Sequence, residues 1–304
     1  MAASRVGQRR NFQTTFDLGQ IVGRDSDEPG HDVLAAFTAI VPDPVADGHI
    51  GCDHAYLRRI PTQRMVPVTT GAGIQRTEGE AVSLLVLWDI DHTLVDTRGV
   101  GRELWAEAFE EVTGQPMREQ ARIDGSTEPV ILRETLELHG LEDSRDLFER
   151  FAQALGAAHV RRAAELRERG HALPGAPSVL SGLAVRDGIV QTVVTGNIRT
   201  AAEVKLAAFG LDPYMDLTLG AFGEDADERP GLVRIALGRA QMPAESAVLV
   251  GDTPSDVRGG LAAGVRVVAV ATGRTPPDEL RAAGAAEVVN DLADTERMLK
   301  LLTS

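Results

Sequence analysis

From Leu84 onward, short apolar runs alternate with longer stretches of helical character, and this alternation restricts the fold more than any other feature of the sequence. The first run covers residues 84–88, is apolar throughout and ends at Asp89. A short continuous apolar run is typical of a strand that is buried on both faces of a parallel sheet. Strands that alternate with helices are joined by right-handed crossovers. The sequence therefore predicts an α/β fold with a doubly wound parallel sheet.

The other strands and helices of this sheet are predicted from the same two patterns. Strands are expected over residues 189–195, 217–219, 247–250, 265–270 and 287–289. Helices are expected over residues 200–209, 232–240, 255–263, 278–283 and 291–302. Strand and helix then alternate along the chain, which is the order that a doubly wound sheet requires.

One long stretch interrupts the alternation between Asp89 and the strand that begins near Ile189. Helices are predicted there over residues 102–113, 128–139 and 145–169. An insert of this size is too long for a single crossover, so we expect a small helical cap domain over the carboxyl edge of the sheet. Open α/β sheets bind their ligands at that edge.

Residues 1–81 differ from the rest of the chain, because they show no sustained helical or strand periodicity. We expect an irregular, peripheral and poorly ordered segment there, with a short helix over residues 33–40. The predicted domain division is an N-terminal segment over 1–81, a core built from 82–98 and 176–304, and a cap over 99–175.

Charge excludes one broad class of partner. The chain has 45 acidic against 31 basic residues and a net charge of −14, so its surface repels the phosphate backbone of nucleic acids. A small anionic substrate stays compatible with this charge, because a metal ion or a local cation can reverse the field inside one cleft.

The single cysteine, Cys52, permits neither a disulfide within the chain nor a cysteine-based zinc site. We therefore expect a reducing, cytoplasmic location. No apolar run approaches the roughly 20 residues that cross a bilayer, and no secretory signal is recognised, so no membrane partner is expected. The sequence makes no prediction of the oligomeric state.

Two carboxylates follow the first predicted strand, in the segment Trp88-Asp89-Ile90-Asp91-His92-Thr93-Leu94. Aspartates are common in turns at strand ends, and a lone D-x-D would mostly be a turn. Here the pattern D-x-D-x-T-L lies between a buried strand and a helical insert, which is a narrower context and favours chemistry.

Two further strand ends carry polar residues. Thr195-Gly196-Asn197 offers a hydroxyl, backbone N–H groups and a helix start, which together form a natural phosphate cradle, although Thr and Asn are also ordinary helix caps. Gly251-Asp252-Thr253-Pro254-Ser255-Asp256 places two acids four residues apart after a buried strand. This spacing suits a magnesium ligand with a supporting carboxylate, or alternatively a capped helix with Pro254 in its first turn.

Taken in order, these motifs resemble the signatures of the haloacid dehalogenase superfamily. The resemblance covers roughly 220 residues, from Leu84 to the C-terminus, and is to phosphoglycolate-phosphatase-like hydrolases with a helical cap between the first and second motifs. It implies a Rossmann-like core and a magnesium-dependent phosphomonoester hydrolase that acts on a small phosphorylated metabolite. Asp91 argues against dehalogenation, because breaking a carbon–halogen bond leaves no alkoxide to protonate.

The resemblance also implies roles for individual residues. Asp89 is the implied nucleophile, which forms an aspartyl-phosphate, and Asp91 is the implied acid and base. The implied Mg²⁺ ligands are the Asp89 carboxylate, the Asp91 backbone carbonyl and Asp252, with Asp256 in support. The implied phosphate-binding residues are Thr195, Gly196, Asn197 and Arg229.

Several assignments stay open at this point. The superfamily usually has a lysine in its third motif, where this chain has Arg229, so either Arg229 or Lys205 is expected to fill that role. His92 stands where these proteins often carry glycine. In the cap, Arg122 and Thr127 are candidate specificity residues. The histidines of the predicted insert are expected at the surface, namely His139, His159 and His171.

Two other functions remain compatible with the motifs. A phosphomutase that acts on a sugar phosphate needs the same aspartyl-phosphate, so the motifs do not separate it from a hydrolase. A non-catalytic binding protein with this fold is favoured only by the arginine in the usual lysine position, and the intact Asp89, Asp91 and Asp252 argue against it.

Overall fold

The computed structural model describes residues 82–304, and the predictions made for residues 1–81 lie outside this part of the chain. Its strands, in chain order, are β1 (Leu84–Trp88), β2 (Val95–Asp96), β3 (His171–Ala172), β4 (Ile189–Val193), β5 (Ala247–Gly251), β6 (Arg266–Val270) and β7 (Glu287–Val289). Five of them form one parallel sheet in the spatial order β4-β1-β5-β6-β7. The predicted doubly wound α/β fold is confirmed.

The helices alternate with these strands and also build the insert. In chain order they are α1 (Val100–Thr113), α2 (Glu128–Leu138), α3 (Arg145–Arg161), α4 (Ala163–Arg169), α5 (Ala176–Ala184), α6 (Arg199–Ala208), α7 (Arg229–Ala240), α8 (Pro254–Ala262), α9 (Pro277–Ala282) and α10 (Thr295–Thr303). Within residues 82–304, no helix is both long and apolar enough to cross a membrane.

Strand β1 is buried on both faces of the sheet, as its continuous apolar sequence predicts. Val86 and Trp88 belong to a core that includes residues of α5, α6 and α10, whereas Leu85 and Leu87 belong to one that includes residues of α7, α8 and α9. Alternate side chains of a strand point to opposite faces, so one short run feeds two cores. Because both faces are packed, the carboxyl ends of the central strands are held in a fixed position.

Helices α1 to α4 form the cap, and their apolar core also includes buried residues of α6. Leu104, Phe109, Leu132 and Phe151 are fully buried there, and the ring of Trp105 lies 4.7 Å from that of Phe151 between centroids. The chain enters the cap after β2 and leaves it through β3, and these two short strands pair antiparallel. The cap therefore connects to the sheet through one two-stranded hinge.

Two predicted elements differ from the structure, and one helix of the sheet domain is not predicted. The helix over 145–169 is two helices, because Arg162 interrupts it and pairs with Glu103 of α1. Residues 217–219 form a turn, since the backbone N–H and hydroxyl of Thr218 donate to the Asp216 carboxylate and compete with strand pairing. Helix α5 is not predicted from the sequence, where Pro177 and Gly182 disfavour a helix, although Pro177 lies in its first turn.

Candidate active site

A cavity of about 360 Å³ lies between the carboxyl ends of the central strands and the cap. Eight of the residues singled out from the sequence line it, namely Asp89, Asp91, Thr195, Gly196, Asn197, Lys205, Arg229 and Asp252. They come from the ends of β1, β4 and β5 and from helices α6 and α7. Neighbouring parallel strands end at the same edge of a sheet, so residues far apart in sequence meet here.

Three acids form a buried cluster at one end of the cavity. One carboxylate oxygen each of Asp89, Asp252 and Asp256 lies within 4.8 Å of the other two. Thr93 connects two of them, because its hydroxyl lies 3.4 Å from Asp89 Oδ2 and 3.3 Å from Asp252 Oδ1. Burial, together with repulsion from neighbouring carboxylates, raises the pKa of Asp89 and of Asp252.

The chemistry of this cluster fits a divalent cation. Its ligands are all oxygens, which Mg²⁺ prefers over nitrogen and sulfur. A positive ion would also remove the repulsion that raises both pKa values, since the deprotonated carboxylates would then face a cation. Asp89 and Asp252, which both line the cavity, are the residues placed to hold such an ion.

Arg229 is the basic residue that contacts Asp89. Its Nη1 lies 3.3 Å from Asp89 Oδ1 and donates to the Val194 carbonyl at 2.9 Å, and its Nε lies 3.1 Å from Asp256 Oδ1. The arginine is buried at the start of α7. It packs closely on Gly259 of α8, where an added Cβ would lie against the arginine side chain.

Lys205 occupies a different position and contacts Asp91. Its Nζ lies 2.7 Å and 2.9 Å from the two Asp91 carboxylate oxygens, and it donates to Asn197 Oδ1 at 2.7 Å. The Asn197 amide also donates to Asp91 Oδ2 and to the Thr195 hydroxyl, each at 2.8 Å. Partial burial acts to raise the pKa of Asp91, but the ion pair with Lys205 and these hydrogen bonds outweigh it and lower that pKa.

Asp256 holds the start of α8 as well as the arginine. Its Oδ2 accepts hydrogen bonds from the Thr253 backbone N–H at 3.1 Å and from the Thr253 hydroxyl at 2.6 Å, and the Thr253 hydroxyl accepts from the Asp256 backbone N–H. This reciprocal capping box fixes the turn that carries Asp252. Asp256 therefore connects the position of Asp252 with that of Arg229.

Comparison with known proteins matches residues 86–270 to the family model of haloacid dehalogenase-like hydrolases. The chain belongs to this family. It is 31% identical over 214 residues to the phosphoglycolate phosphatase of Rhodospirillum rubrum, an alignment that covers 68% of this chain and 87% of that protein. The chain is thus a phosphatase of the haloacid dehalogenase-like type, as its motifs predict.

Solved structures of other proteins show the same fold. A hydrolase from Pseudomonas syringae superposes with a TM-score of 0.56 at 21% identity, over 73% of this chain and all of that one. CbbY from Rhodobacter sphaeroides, solved in complex with phosphate, superposes with a TM-score of 0.51 at 18% identity, over 69% of this chain and 95% of that one. At these identities the likeness concerns the fold alone.

The backbone of this hydrolase explains the residue at position 92. His92 has a φ of 59°, in the left-handed region that glycine adopts at little cost. This chain places a histidine in that conformation, at the position where the family resemblance led us to expect glycine. The Thr272 hydroxyl donates to the His92 carbonyl and so contacts this turn.

The two cap residues singled out from the sequence lie beside the cavity, outside its wall. Arg122 is exposed, and Thr127 is buried and donates to the Asp227 carbonyl at 3.2 Å. The residues between them form the wall instead, over positions 123–126. In this haloacid dehalogenase-like hydrolase, the central residues of the loop 122–127 therefore line the cavity.

Three cap residues that the sequence did not assign to the site also line the cavity: Trp105, Glu128 and His159. The prediction that His159 lies at the surface is wrong, since only 2% of it is exposed. Helical spacing places it in line with the buried Phe151 and Leu155, and that spacing was a usable signal. Glu128 carries no such signal, because its burial depends on the way α2 docks. His139 and His171 are half-buried.

Proposed function

We propose that this chain is a magnesium-dependent phosphomonoester hydrolase that acts on a small phosphorylated metabolite through an aspartyl-phosphate at Asp89. The observation that carries the proposal is the meeting of Asp89, Asp252 and Arg229 at a cavity of about 360 Å³. A cytoplasmic location belongs to the same proposal and is supported by the single cysteine.

In the first step, a carboxylate oxygen of Asp89 attacks phosphorus and the bond from phosphorus to the alcohol oxygen breaks. The alcohol oxygen keeps the electron pair and takes a proton from Asp91. Lys205 and Asn197 hold Asp91 in its ionised form, so Asp91 has to leave this contact and gain a proton before the step. Arg229, the Thr195 hydroxyl and the backbone N–H of Gly196 are assigned to the phosphate oxygens, where charge collects.

In the second step, water attacks the phosphorus of the aspartyl-phosphate. Asp91, now ionised, takes the proton from this water, and the bond between phosphorus and Asp89 breaks. Inorganic phosphate leaves and the Asp89 carboxylate is restored. Mg²⁺, when held by Asp89, Asp252 and the Asp91 carbonyl, supplies a positive charge that offsets repulsion between these carboxylates and the phosphate.

The test is phosphate release from a generic aryl phosphate in the presence of Mg²⁺. We expect Asp89→Asn to lower kcat by at least about 1000-fold, because the amide is not a nucleophile toward phosphorus. Asp187→Asn makes the same chemical change at an exposed position outside the cavity and is the matched control. Equal turnover by wild type and Asp89→Asn would refute the nucleophile.

The same preparation separates the hydrolase from a phosphomutase. Both need the aspartyl-phosphate, and they differ in whether water or a second sugar hydroxyl receives the phosphoryl group. Incubation with a sugar phosphate followed by product analysis decides between them. Free phosphate with the parent sugar supports the hydrolase, and an isomerised sugar phosphate supports the mutase.

A further inference from the structure

The cap side of the cavity carries two hydrogen-bond acceptors that the proposed mechanism does not use. They belong to Glu128, at the start of α2, and to His159, near the end of α3, and we call this pair the acceptor pair. Both residues line the cavity together with the apolar side chains of Ile131 and Leu155.

His159 presents an acceptor because of the hydrogen bond that its other ring nitrogen makes. Nδ1 lies 2.9 Å from the Leu155 carbonyl oxygen, which only accepts, so Nδ1 carries the proton. Burial, with Lys205 nearby, lowers the pKa of His159 to about 4, and the ring is neutral near pH 7. Its Nε2 is then a lone-pair acceptor, and no protein group within residues 82–304 donates to it.

Glu128 presents the second acceptor. Its Oε2 accepts from the Trp105 indole N–H at 2.6 Å, while its Oε1 receives no hydrogen bond from the described part of the chain. The residue is 8% exposed, so its free oxygen has little access to bulk water. A buried acceptor without a donor is costly, and a ligand that donates to it removes that cost.

The donors around the acceptor pair are already engaged with other protein groups. The Lys205 ammonium donates to Asp91 and Asn197, and the Trp105 N–H donates to Glu128 itself. The Asn197 amide donates to Asp91 and Thr195. Arg102, Gln120 and Arg274 also line the cavity and carry further donors. The acceptor character is therefore a property of the two free atoms on Glu128 and His159, and their complement is a group that donates.

We propose that Glu128 and His159 bind a hydroxyl group on the alcohol half of the substrate, so that the enzyme prefers phosphate esters of polyhydroxylated alcohols to esters of carboxylated alcohols such as glycolate. This inference rests on the proposed function and narrows its substrate class. A carboxylate at this position would face the His159 lone pair and, above about pH 7, the ionised Glu128 carboxylate. A hydroxyl suits both states of Glu128, because it donates to the ionised carboxylate and accepts from the protonated one. An ammonium group would meet the positive field of Lys205, the same field that opposes protonation of His159.

The experiment compares kcat/KM for four small phosphate esters in the presence of Mg²⁺. Glycerol 3-phosphate and n-propyl phosphate have the same three-carbon chain and differ in their hydroxyl groups. 2-Phosphoglycolate supplies a carboxylate and O-phosphoethanolamine supplies an ammonium group. We expect the wild type to prefer glycerol 3-phosphate over each of the others by at least about tenfold, as for a buried hydrogen bond that is made or lost.

Variants then assign the preference to the acceptor pair. His159→Phe removes the ring acceptor, and Glu128→Gln keeps an oxygen for Trp105 while placing an amide NH₂ at the free position. At pH 8, where Glu128 is ionised in the wild type, each is expected to lower the ratio of glycerol 3-phosphate to n-propyl phosphate turnover by about tenfold. Ile131→Val changes the same cavity wall without a polar group, and we expect it to keep the ratio.

The outcomes separate this inference from the function on which it rests. Hydrolysis of all four esters with equal kcat/KM, or a preference for 2-phosphoglycolate, would overturn the acceptor pair and leave the phosphatase standing. An absence of turnover with every ester and with an aryl phosphate would overturn both. The wild-type comparison decides by itself if a variant fails to fold.

Discussion

At the scale of single residues, the cavity shows how environment assigns different protonation states to one residue type. Asp91 has a cation and an amide against its carboxylate, so its pKa is lowered. Asp89 and Asp252 lie in a buried cluster with too little positive charge, so their pKa values are raised. The contacts of Asp91 keep its carboxylate ionised, and the cluster of Asp89 and Asp252 favours the binding of a cation.

The variant Asp252→Asn tests, through its melting temperature, whether this cluster binds a cation. Without divalent ions, we expect the variant to have a melting temperature equal to or above that of the wild type, because one buried like charge is gone. Addition of Mg²⁺ should raise the melting temperature of the wild type by several degrees and leave the variant unchanged, since binding to the native state stabilises it. A Mg²⁺-dependent shift of equal size in both proteins, measured by calorimetry, would contradict the assignment of Asp252 as a ligand.

The raised pKa of Glu128 predicts that the free energy of unfolding depends on pH. Burial raises its pKa from an ordinary value of 4.5 to about 7, although the Trp105 hydrogen bond and Lys205 oppose the rise. Below pH 4.5 the group is protonated in both the folded and the unfolded state and contributes nothing. Between these two pKa values only the folded state holds the proton, so stability falls as pH rises, by about 3 kcal/mol in all.

Glu128→Gln removes this titration and isolates its effect. The stability of the variant relative to the wild type should increase by about 3 kcal/mol from pH 4.5 to pH 8. Urea denaturation across this range measures the free energy of unfolding of both proteins. His159 and the aspartates titrate in both, so the difference between the two proteins reports on Glu128. A difference that stays constant with pH would show that Glu128 is ionised in the native state at an ordinary pKa.

At the scale of secondary structure, the sequence predicts the sheet better than the cap. Strand β1 is predicted to its exact ends, because its five apolar residues fit a two-sided core and Asp89 follows directly. Placement of Asp89, Asp91 and Asp252 at one sheet edge follows from parallel strands ending together. Glu128 and His159 could not be placed in this way, since their burial depends on how cap helices pack on the core.

The contact between cap and sheet edge depends on a glycine. The Gly196 carbonyl accepts from the Glu128 backbone N–H at 2.9 Å, and a Cβ at position 196 would collide with the Ser126 carbonyl oxygen. The start of α2 is therefore seated directly on the loop that follows β4. This contact places the acceptor pair and the loop that we propose to bind phosphate in one cavity.

Gly196→Ala tests the contact. We expect a loss of at least about 2 kcal/mol in the free energy of unfolding, because backbone has to move to admit the methyl group, and a parallel loss of kcat/KM. Gly238→Ala is the matched control, since position 238 lies in the exposed face of α7 with open space around it. Gly238→Ala should raise the free energy of unfolding by about 0.5–1 kcal/mol. Equal effects of the two substitutions on stability would contradict the close approach.

At the scale of the whole molecule, the sheet, the cap and the cavity are all built from residues 82–304. Two packed faces of one sheet and the apolar cluster between the cap helices and α6 supply the buried apolar area expected of an independent folding unit. We therefore expect a chain that begins at Val82 to fold and to keep kcat/KM for an aryl phosphate within about threefold. Loss of a cooperative thermal transition in that truncated chain would show that residues 1–81 contribute to the core.

The central claim is that Asp89 carries the phosphoryl group, and trapping of the phosphoenzyme tests it most directly. Asp91→Asn is the suitable background, because an activated aryl phosphate needs no acid for its departure, whereas attack of water needs the missing base. Acid quenching within the first turnover, followed by peptide mass spectrometry, locates the phosphate. The account predicts phosphate on the peptide of the Asp91→Asn variant that contains Asp89. It predicts no phosphate on that peptide in the double variant that also carries Asp89→Asn. Turnover without a phosphorylated peptide, or phosphate on another residue, would contradict it.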